Sequence, residues 1–232
     1  MAFLSFAKKK YDPPAHVFGF VTKRSHIDAV LAHRDAKWAY SVDIENFFST
    51  TPRSLIENVF QHLGYSEDMA LLLSKLCCFE DRLAQGAPTS PALSNFAFHE
   101  IDMQILDLAN KYSCKVTRYA DDIVFSGSGD FPNCIRESVA KIFSGSPWKL
   151  ATHKVELQPL KGRIKIHGLL VSGGNVRLTK GYRNKLRTYE HVLKTRGHDV
   201  ANTKKLLGHI QYGKSVINKT GMILNAEPKE SL

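Results

Sequence analysis

Hydrophobic positions recur along this chain with two periods, and the changes of period mark its elements. Ile27, Val30 and Leu31 predict a short helix over 25–33. The apolar run Ala39-Tyr40-Ser41-Val42-Asp43-Ile44 is of strand type and stops at an acid. Thr51-Pro52 then supplies a helix cap followed by proline at the first helical position, and Ile56, Val59, Phe60 and Leu63 fall on one face of the helix behind it. A second helix is predicted over 66–76. Leu93, Ala97, Ile101, Ile105 and Leu108 predict one long helix, with Ser90 as its cap and Pro91 as its first residue. Two β-prone runs follow at 115–119 and 123–126, then a helix over 134–143 that lies on the sheet and ends at Gly145-Ser146-Pro147. Short strands at 155–157, 164–166, 169–171 and 176–178 are separated by glycines, and two helices close the pattern, one from Thr179 and one over 202–216. Residues 1–15 form a basic, proline-bearing lead-in and the last ten residues are expected to fray. No internal repeat is visible, and the length allows one or two domains.

The run between 115 and 126 carries the most chemistry. Tyr119-Ala120-Asp121-Asp122 falls where a hairpin must turn, so two adjacent carboxylates occupy its tip. Neighbouring carboxylates raise one another's pKa unless something positive compensates them. A divalent cation does so, and hard oxygen ligands suit Mg²⁺. Asp43, at the end of the earlier strand, is the candidate third acid. Two strand ends facing each other would bring the three together around a pair of ions about 3.5–4 Å apart, the arrangement that stabilises both oxygens of an in-line phosphoryl displacement. Tight hairpin turns usually hold Gly or Asn. Ala120 and Asp121 supply neither, which points to backbone strain at the tip. The loop Gln85-Gly86-Ala87-Pro88-Thr89-Ser90-Pro91 opens a helix, and the free N–H groups of its first turn either receive a triphosphate or form an ordinary capped end.

Composition narrows the class of partner. The net charge of +10 and pI near 9.4 favour a polyanion, and 10% aromatic residues allow stacking on bases, so nucleic acid leads over a merely soluble basic protein. Lys161, Arg163 and Lys165 alternate with apolar residues and put cations on one sheet face. Lys180, Arg183, Lys185, Arg187, Lys194 and Arg196 make the first C-terminal helix strongly basic, which reads as a phosphate grip or as a solvated helix face. Cys77, Cys78, Cys114 and Cys134 lack zinc-site spacing and read as reduced, mostly buried thiols. The apolar opening precedes Lys8-Lys9-Lys10, the reverse of a secretory signal, and no run reaches the length of a membrane span. A soluble, cytoplasmic protein without a membrane partner is expected.

Three segments in fixed order, Val42-Asp43-Ile44-Glu45-Asn46-Phe47-Phe48, the 85–91 loop and Thr117-Arg118-Tyr119-Ala120-Asp121-Asp122, resemble those of bacterial reverse transcriptases of the retron type, which are also similar to group II intron enzymes. The resemblance covers about Val17 to Ser215. It implies an α+β polymerase right hand: a palm over 36–178 with an antiparallel sheet backed by helices, a small helical thumb over 179–221, and partial fingers over 1–35. Residues 222–232 would be a disordered tail. It implies an RNA-directed DNA polymerase with Asp43, Asp121 and Asp122 as catalytic acids. These and the Ile44 carbonyl would hold two Mg²⁺ ions, with Mn²⁺ as a substitute.

In the same reading Phe48 is the bulky residue that excludes a sugar 2′-OH. Gln85 and Gly86 lie against the incoming dNTP, and Lys154 stands near the triphosphate as a proton donor to pyrophosphate. Gly168-Leu169-Leu170-Val171 resembles the strand pair that positions the primer end. Arg118, Tyr119, Lys161, Arg163, Lys165, Lys180, Arg183 and Arg187 would contact the RNA template and the RNA–DNA hybrid. A non-coding RNA, an effector protein or a subunit supplying fingers are further partners. The last follows from the short lead-in before Ala15-His16-Val17, where Lys8, Lys9, Lys10, Lys23 and Arg24 are the nearby cations and a compact or split variant is expected. Two retron hallmarks differ. Ala29-Val30 stands in place of an asparagine–alanine pair and Ile166-His167-Gly168 in place of valine-threonine-glycine, so the wider bacterial reverse transcriptase group, including phage-defence relatives, fits as well. The alternative is a non-catalytic or partner-dependent nucleic-acid-binding subunit that keeps the palm.

Overall fold

The computed structural model describes residues 11–159, 164–196 and 203–221. Its centre is a four-stranded antiparallel sheet built from β1 (Trp38–Asp43), β4 (Lys115–Tyr119), β5 (Asp122–Gly127) and β6 (Glu156–Pro159), in the order β4-β5-β1-β6. Alternation along β1 explains its place in the middle. Trp38, Tyr40 and Val42 point to one face and join Ile123 and Phe125 of β5, while Ala39 points to the other with Val124.

The first face is covered by helices. These are α5 (Ser90–Ala97), α6 (His99–Lys111) and α7 (Cys134–Ser144), which bring Phe98, Ile101, Ile105, Leu108, Ile135, Val139 and Phe143 onto the strands. The second face is partly covered by a three-stranded antiparallel sheet, β7 (Ile164–Ile166), β8 (Leu169–Ser172) and β9 (Asn175–Leu178). Behind it lie α1 (His26–Ala32), α8 (Lys180–Arg196) and α9 (Thr203–Thr220), which share its core through Ile27, Val30, Leu186 and Val216. A third cluster joins α3 (Arg53–His62) and α4 (Glu67–Cys77) to Leu93 of α5. Between β1 and α3 sits the single turn α2 (Phe47–Thr50), and β2 (Cys78–Phe79) pairs with β3 (Arg82–Leu83) ahead of α5. The fold is α+β, with an antiparallel sheet backed by helices.

The short helix expected over 25–33 forms as α1, and a reciprocal capping box between Ser25 and Asp28 closes its first turn. The long helix expected from Ser90 breaks at Phe98, whose ψ of −1° ends α5 and starts α6. Phe98 is fully buried at the break, 4.8 Å from the Trp148 ring and 5.4 Å from the Phe47 ring. Ser90 is not the cap. Thr89 precedes the helix, and the Ser90 hydroxyl donates instead to the Ala84 carbonyl at 2.5 Å. Thr51 likewise gives up the cap position to Pro52; its hydroxyl donates to the Phe47 carbonyl and accepts from Trp148 Nε1, tying α2 to the core. The thiols are less enclosed than expected: Cys134 is exposed and Cys77, Cys78 and Cys114 are half-buried. No helix among the described residues is long and apolar enough to cross a membrane.

Candidate active site

Antiparallel register decides which acids meet. Asp43 is the cross-strand partner of Asp122, so both project from the same sheet face. The Ile44 N–H then donates to the Asp121 carbonyl at 2.9 Å, which brings the end of β1 against the turn before β5. Ala120 turns the chain with φ of 59°, the left-handed conformation that a tip without Gly or Asn must accept. Asp121 is half-buried. Burial is the main reason that its carboxyl is pushed above the ordinary range, and the charges of Asp43 and Asp122 add to it against the opposing pull of its own backbone N–H and Lys154.

Two cavities meet at Asp43. One, about 440 Å³, is lined by Asp43, Ile44, Phe48, Gln85, Asp121 and Lys154. Gln85 is on that wall; Gly86, at φ 88° in the adjoining turn, is not. The Ile44 side chain is in the core, so only its backbone faces the cavity. The Phe48 ring is half-buried and lies 5.9 Å from that of Phe20. The other cavity, about 610 Å³, is lined by Asp43, Asp122, Lys154, Lys165 and His167 among others. Lys154 stands between the two. Its Nζ donates to Asp43 Oδ1 at 2.7 Å, and that bond holds the ammonium above the ordinary lysine range.

Arg118 is the clearest correction. Expected on nucleic acid, it is fully buried. Its Nε and Nη2 donate to the two oxygens of Asp102 at 2.6 and 2.5 Å, Nη2 also to Asn95 Oδ1 at 3.1 Å, and Nη1 to the Ala120 carbonyl at 3.0 Å. The guanidinium lies over the Phe98 ring, 4.9 Å from its centroid. Burial alone would raise the Asp102 carboxyl, but the adjacent guanidinium outweighs it and holds the group below the ordinary carboxylate range. Arg118 thus braces the acid-bearing turn from beneath. The turn is braced from outside as well: Phe18 and Gly19 N–H groups donate to the Arg118 carbonyl, and a Cβ on Gly19 would lie 2.2 Å from the Ala120 nitrogen.

The remaining basic candidates divide. Tyr119 is half-buried beside the rings of His26 and His167. Lys165 is exposed on the wall of the larger cavity. Lys180 and Arg187 are exposed and Arg183 half-buried on α8, and none of the three lines either cavity. Lys161 and Arg163 lie outside the described residues, as do Lys8, Lys9 and Lys10.

His167 was missed as a site residue. Its Nδ1 lies 3.0 Å from Asp122 Oδ2, with the side chain 8% exposed. The available signal was the histidine in the Ile166-His167-Gly168 departure at a predicted turn. Among the described residues no three His, Cys, Asp or Glu side chains are already disposed around one cation position. The donor set nevertheless fits a hard divalent ion: carboxylates stand at two adjoining strand ends, and burial first, then the charges of Asp43 and Asp122, raises the proton affinity of Asp121, a cost that a cation would relieve.

Residues 8–168 match the family model described as reverse transcriptase (RNA-dependent DNA polymerase). The chain belongs to that family. Curated relatives include the retron Ec86 reverse transcriptase of Escherichia coli, 27% identical over 175 residues and covering 75% of this chain and 54% of the relative. The retron Mx65 reverse transcriptase of Myxococcus xanthus is 28% identical over 252 residues, covering 100% of this chain and 56% of the relative. The chain therefore spans about half the length of the curated reverse transcriptases it matches, and the retron-type resemblance expected from its motifs recurs among them. Among solved structures, a telomerase from Candida albicans in complex with a fragment of telomeric RNA superposes with a TM-score of 0.54 at 11% identity, covering 94% of this chain and 48% of that one. That likeness concerns the fold, in which the central sheet and its helices form a reverse transcriptase palm. Reverse transcriptases use divalent metal ions, and the palm acids are the groups suited to them here.

Proposed function

We propose that this chain is the polymerase part of a retron-type reverse transcriptase, extending a primer 3′-hydroxyl with dNTPs on an RNA template. The observation that carries this reading is the Asp43–Asp122 register next to the left-handed turn at Ala120: Asp43 and Asp121 line one cavity with Phe48 and Gln85, and Asp43 and Asp122 line the adjoining one. Asp43, Asp121, Asp122 and the Ile44 carbonyl would hold two Mg²⁺ ions, which when bound supply charge stabilisation to the attacking and leaving oxygens. The protein's own work is positioning. Phe48 would exclude a sugar 2′-hydroxyl, and Gln85, on the wall of the same cavity, would lie against the incoming nucleotide together with the Gly86 turn. Lys154 Nζ, held protonated beside Asp43, is a proton source for the departing pyrophosphate.

In this reading 36–178 is the palm, 179–221 a thumb whose Lys180, Arg183 and Arg187 meet an RNA–DNA hybrid by backbone and shape, and 1–35 the start of the fingers. Lys165 and Tyr119 face the primer side. A non-coding RNA, an effector protein and a cytoplasmic setting go with the retron-type assignment.

Primer extension on an RNA template tests it. Product should require Mg²⁺ or Mn²⁺ and disappear in Asp121→Asn while the far-ultraviolet circular dichroism is retained. Full activity in Asp121→Asn overturns the assignment of the acids. Salt-sensitive hybrid binding without any extension by the intact protein would favour the binding-subunit alternative.

A further inference from the structure

The Asp122 carboxylate is held from the neighbouring sheet. His167 and Gly168 are the two central residues of the hairpin joining β7 to β8, whose register pairs Ile166 with Leu169. Their φ values, 45° and 82°, are those of a two-residue turn that normally takes Asn-Gly or Gly-Gly. A histidine there is in a conformation that its side chain does not favour. Its ring is nonetheless well placed: the side chain is 8% exposed, its centroid is 5.6 Å from that of Tyr119, and Nδ1 lies 3.0 Å from Asp122 Oδ2. A carboxylate oxygen only accepts, so this contact orients Asp122 in the form of the ring that carries a hydrogen on Nδ1. Asp122 itself is 35% exposed on the cavity wall, and among the described residues the His167 ring is the one side chain within ion-pair distance of its carboxylate.

We infer that His167 is a positioning residue for Asp122: a donor reaching from the β7–β8 turn that occupies one carboxylate oxygen and turns the other toward Asp43. The inference rests on the proposed metal-holding role of the acids and adds a residue to it. Groups that orient a ligating carboxylate from behind set metal affinity, and their loss typically weakens it by about 10–100-fold. Contact with the primer-side sheet also makes the carboxylate's orientation depend on the seating of that hairpin.

The experiment uses substitutions that the turn tolerates. His167→Gly keeps φ unstrained and removes the donor. His167→Asn also accepts positive φ and keeps an N–H donor two bonds beyond Cβ, as in histidine Nδ1. Mn²⁺ binding, read by the electron paramagnetic resonance of the free ion without substrate, should weaken about tenfold in His167→Gly and return to within about threefold of the parent in His167→Asn. In an Asp122→Asn background His167→Gly should change nothing further.

Parental affinity in His167→Gly, equal loss in both variants, or an undiminished loss in the Asp122→Asn background each overturns the positioning role. If the parent binds Mn²⁺ no better than Asp43→Asn, the metal-holding assignment itself fails. That result is distinct from a parent that binds well and a glycine variant that binds equally well.

Discussion

Asp102→Ala would leave the Arg118 guanidinium buried without its carboxylate. Both side chains are at 0% exposure, so water cannot replace the lost partner. The substitution removes two charge-assisted bonds of 2.5–2.6 Å, leaving only the neutral acceptors Asn95 Oδ1 and the Ala120 carbonyl. Breaking a buried pair from one side costs about 3–5 kcal/mol, against a total stability of about 5–15 kcal/mol for a typical domain. Urea unfolding at pH 7 followed by circular dichroism should therefore show a loss of about 3 kcal/mol or more. Arg118→Met with Asp102→Leu should recover much of it, since apolar replacement of both partners removes the stranded charge. That double variant should still extend primers poorly, because the tether to the Ala120 carbonyl is gone. The acid limb carries the same signature. The carboxyl is held below its unfolded value of 3.8, so the pair's contribution is complete above that pH and is lost only as pH falls further, through the folded value. A loss below about 1 kcal/mol in Asp102→Ala would refute the brace. So would an Arg118→Met protein of parental stability with weaker hybrid binding and a salt slope reduced by about one, the behaviour of a phosphate contact.

Three further outcomes follow from the site. Gly19→Ala places a methyl 2.2 Å from the Ala120 nitrogen, a backbone atom that cannot swing aside; it should cost about 1–3 kcal/mol in urea unfolding and reduce extension more than tenfold, and parental values in both would refute the packing argument. Phe48→Ala should let ribonucleotides in, with the dNTP-over-rNTP preference in competition assays falling about tenfold or more, and unchanged sugar selectivity would refute the gate. His33 is buried between Ser126 Oγ at 2.6 Å and Thr117 Oγ1 at 2.7 Å, and burial drives its pKa from 6.5 down to about 3. The folded protein thus declines a proton that the unfolded chain accepts, so this contribution is complete above pH 6.5 and lost as pH falls toward 3. The drop in urea midpoint between pH 7.5 and pH 5 should be smaller in His33→Gln than in the parent, and an equal drop would contradict the assignment.

The amino-acid pattern alone determined most of the secondary structure, the strand that stops at Asp43, the turn that carries Asp121 and Asp122, and the family. These are local matters: a period of two or of 3.6 and a short motif are complete within a few residues, and the three motif segments kept their order whatever lay between them. The fate of Arg118 was not local. Alternation in β4 puts it on the same face as Val116, but only packing shows that α6 brings Asp102 beneath it, and a charge in a strand otherwise reads as a surface group. His167 reached Asp122 by the same logic in reverse, through a hairpin of the second sheet laid against the first, and the break at Phe98 coincides with a ring packed against Phe47, Trp148 and Arg118. Periodicity reports which way a side chain points. What it meets there is decided by segments far away in the chain, because buried charges and bulky rings take their partners from tertiary packing.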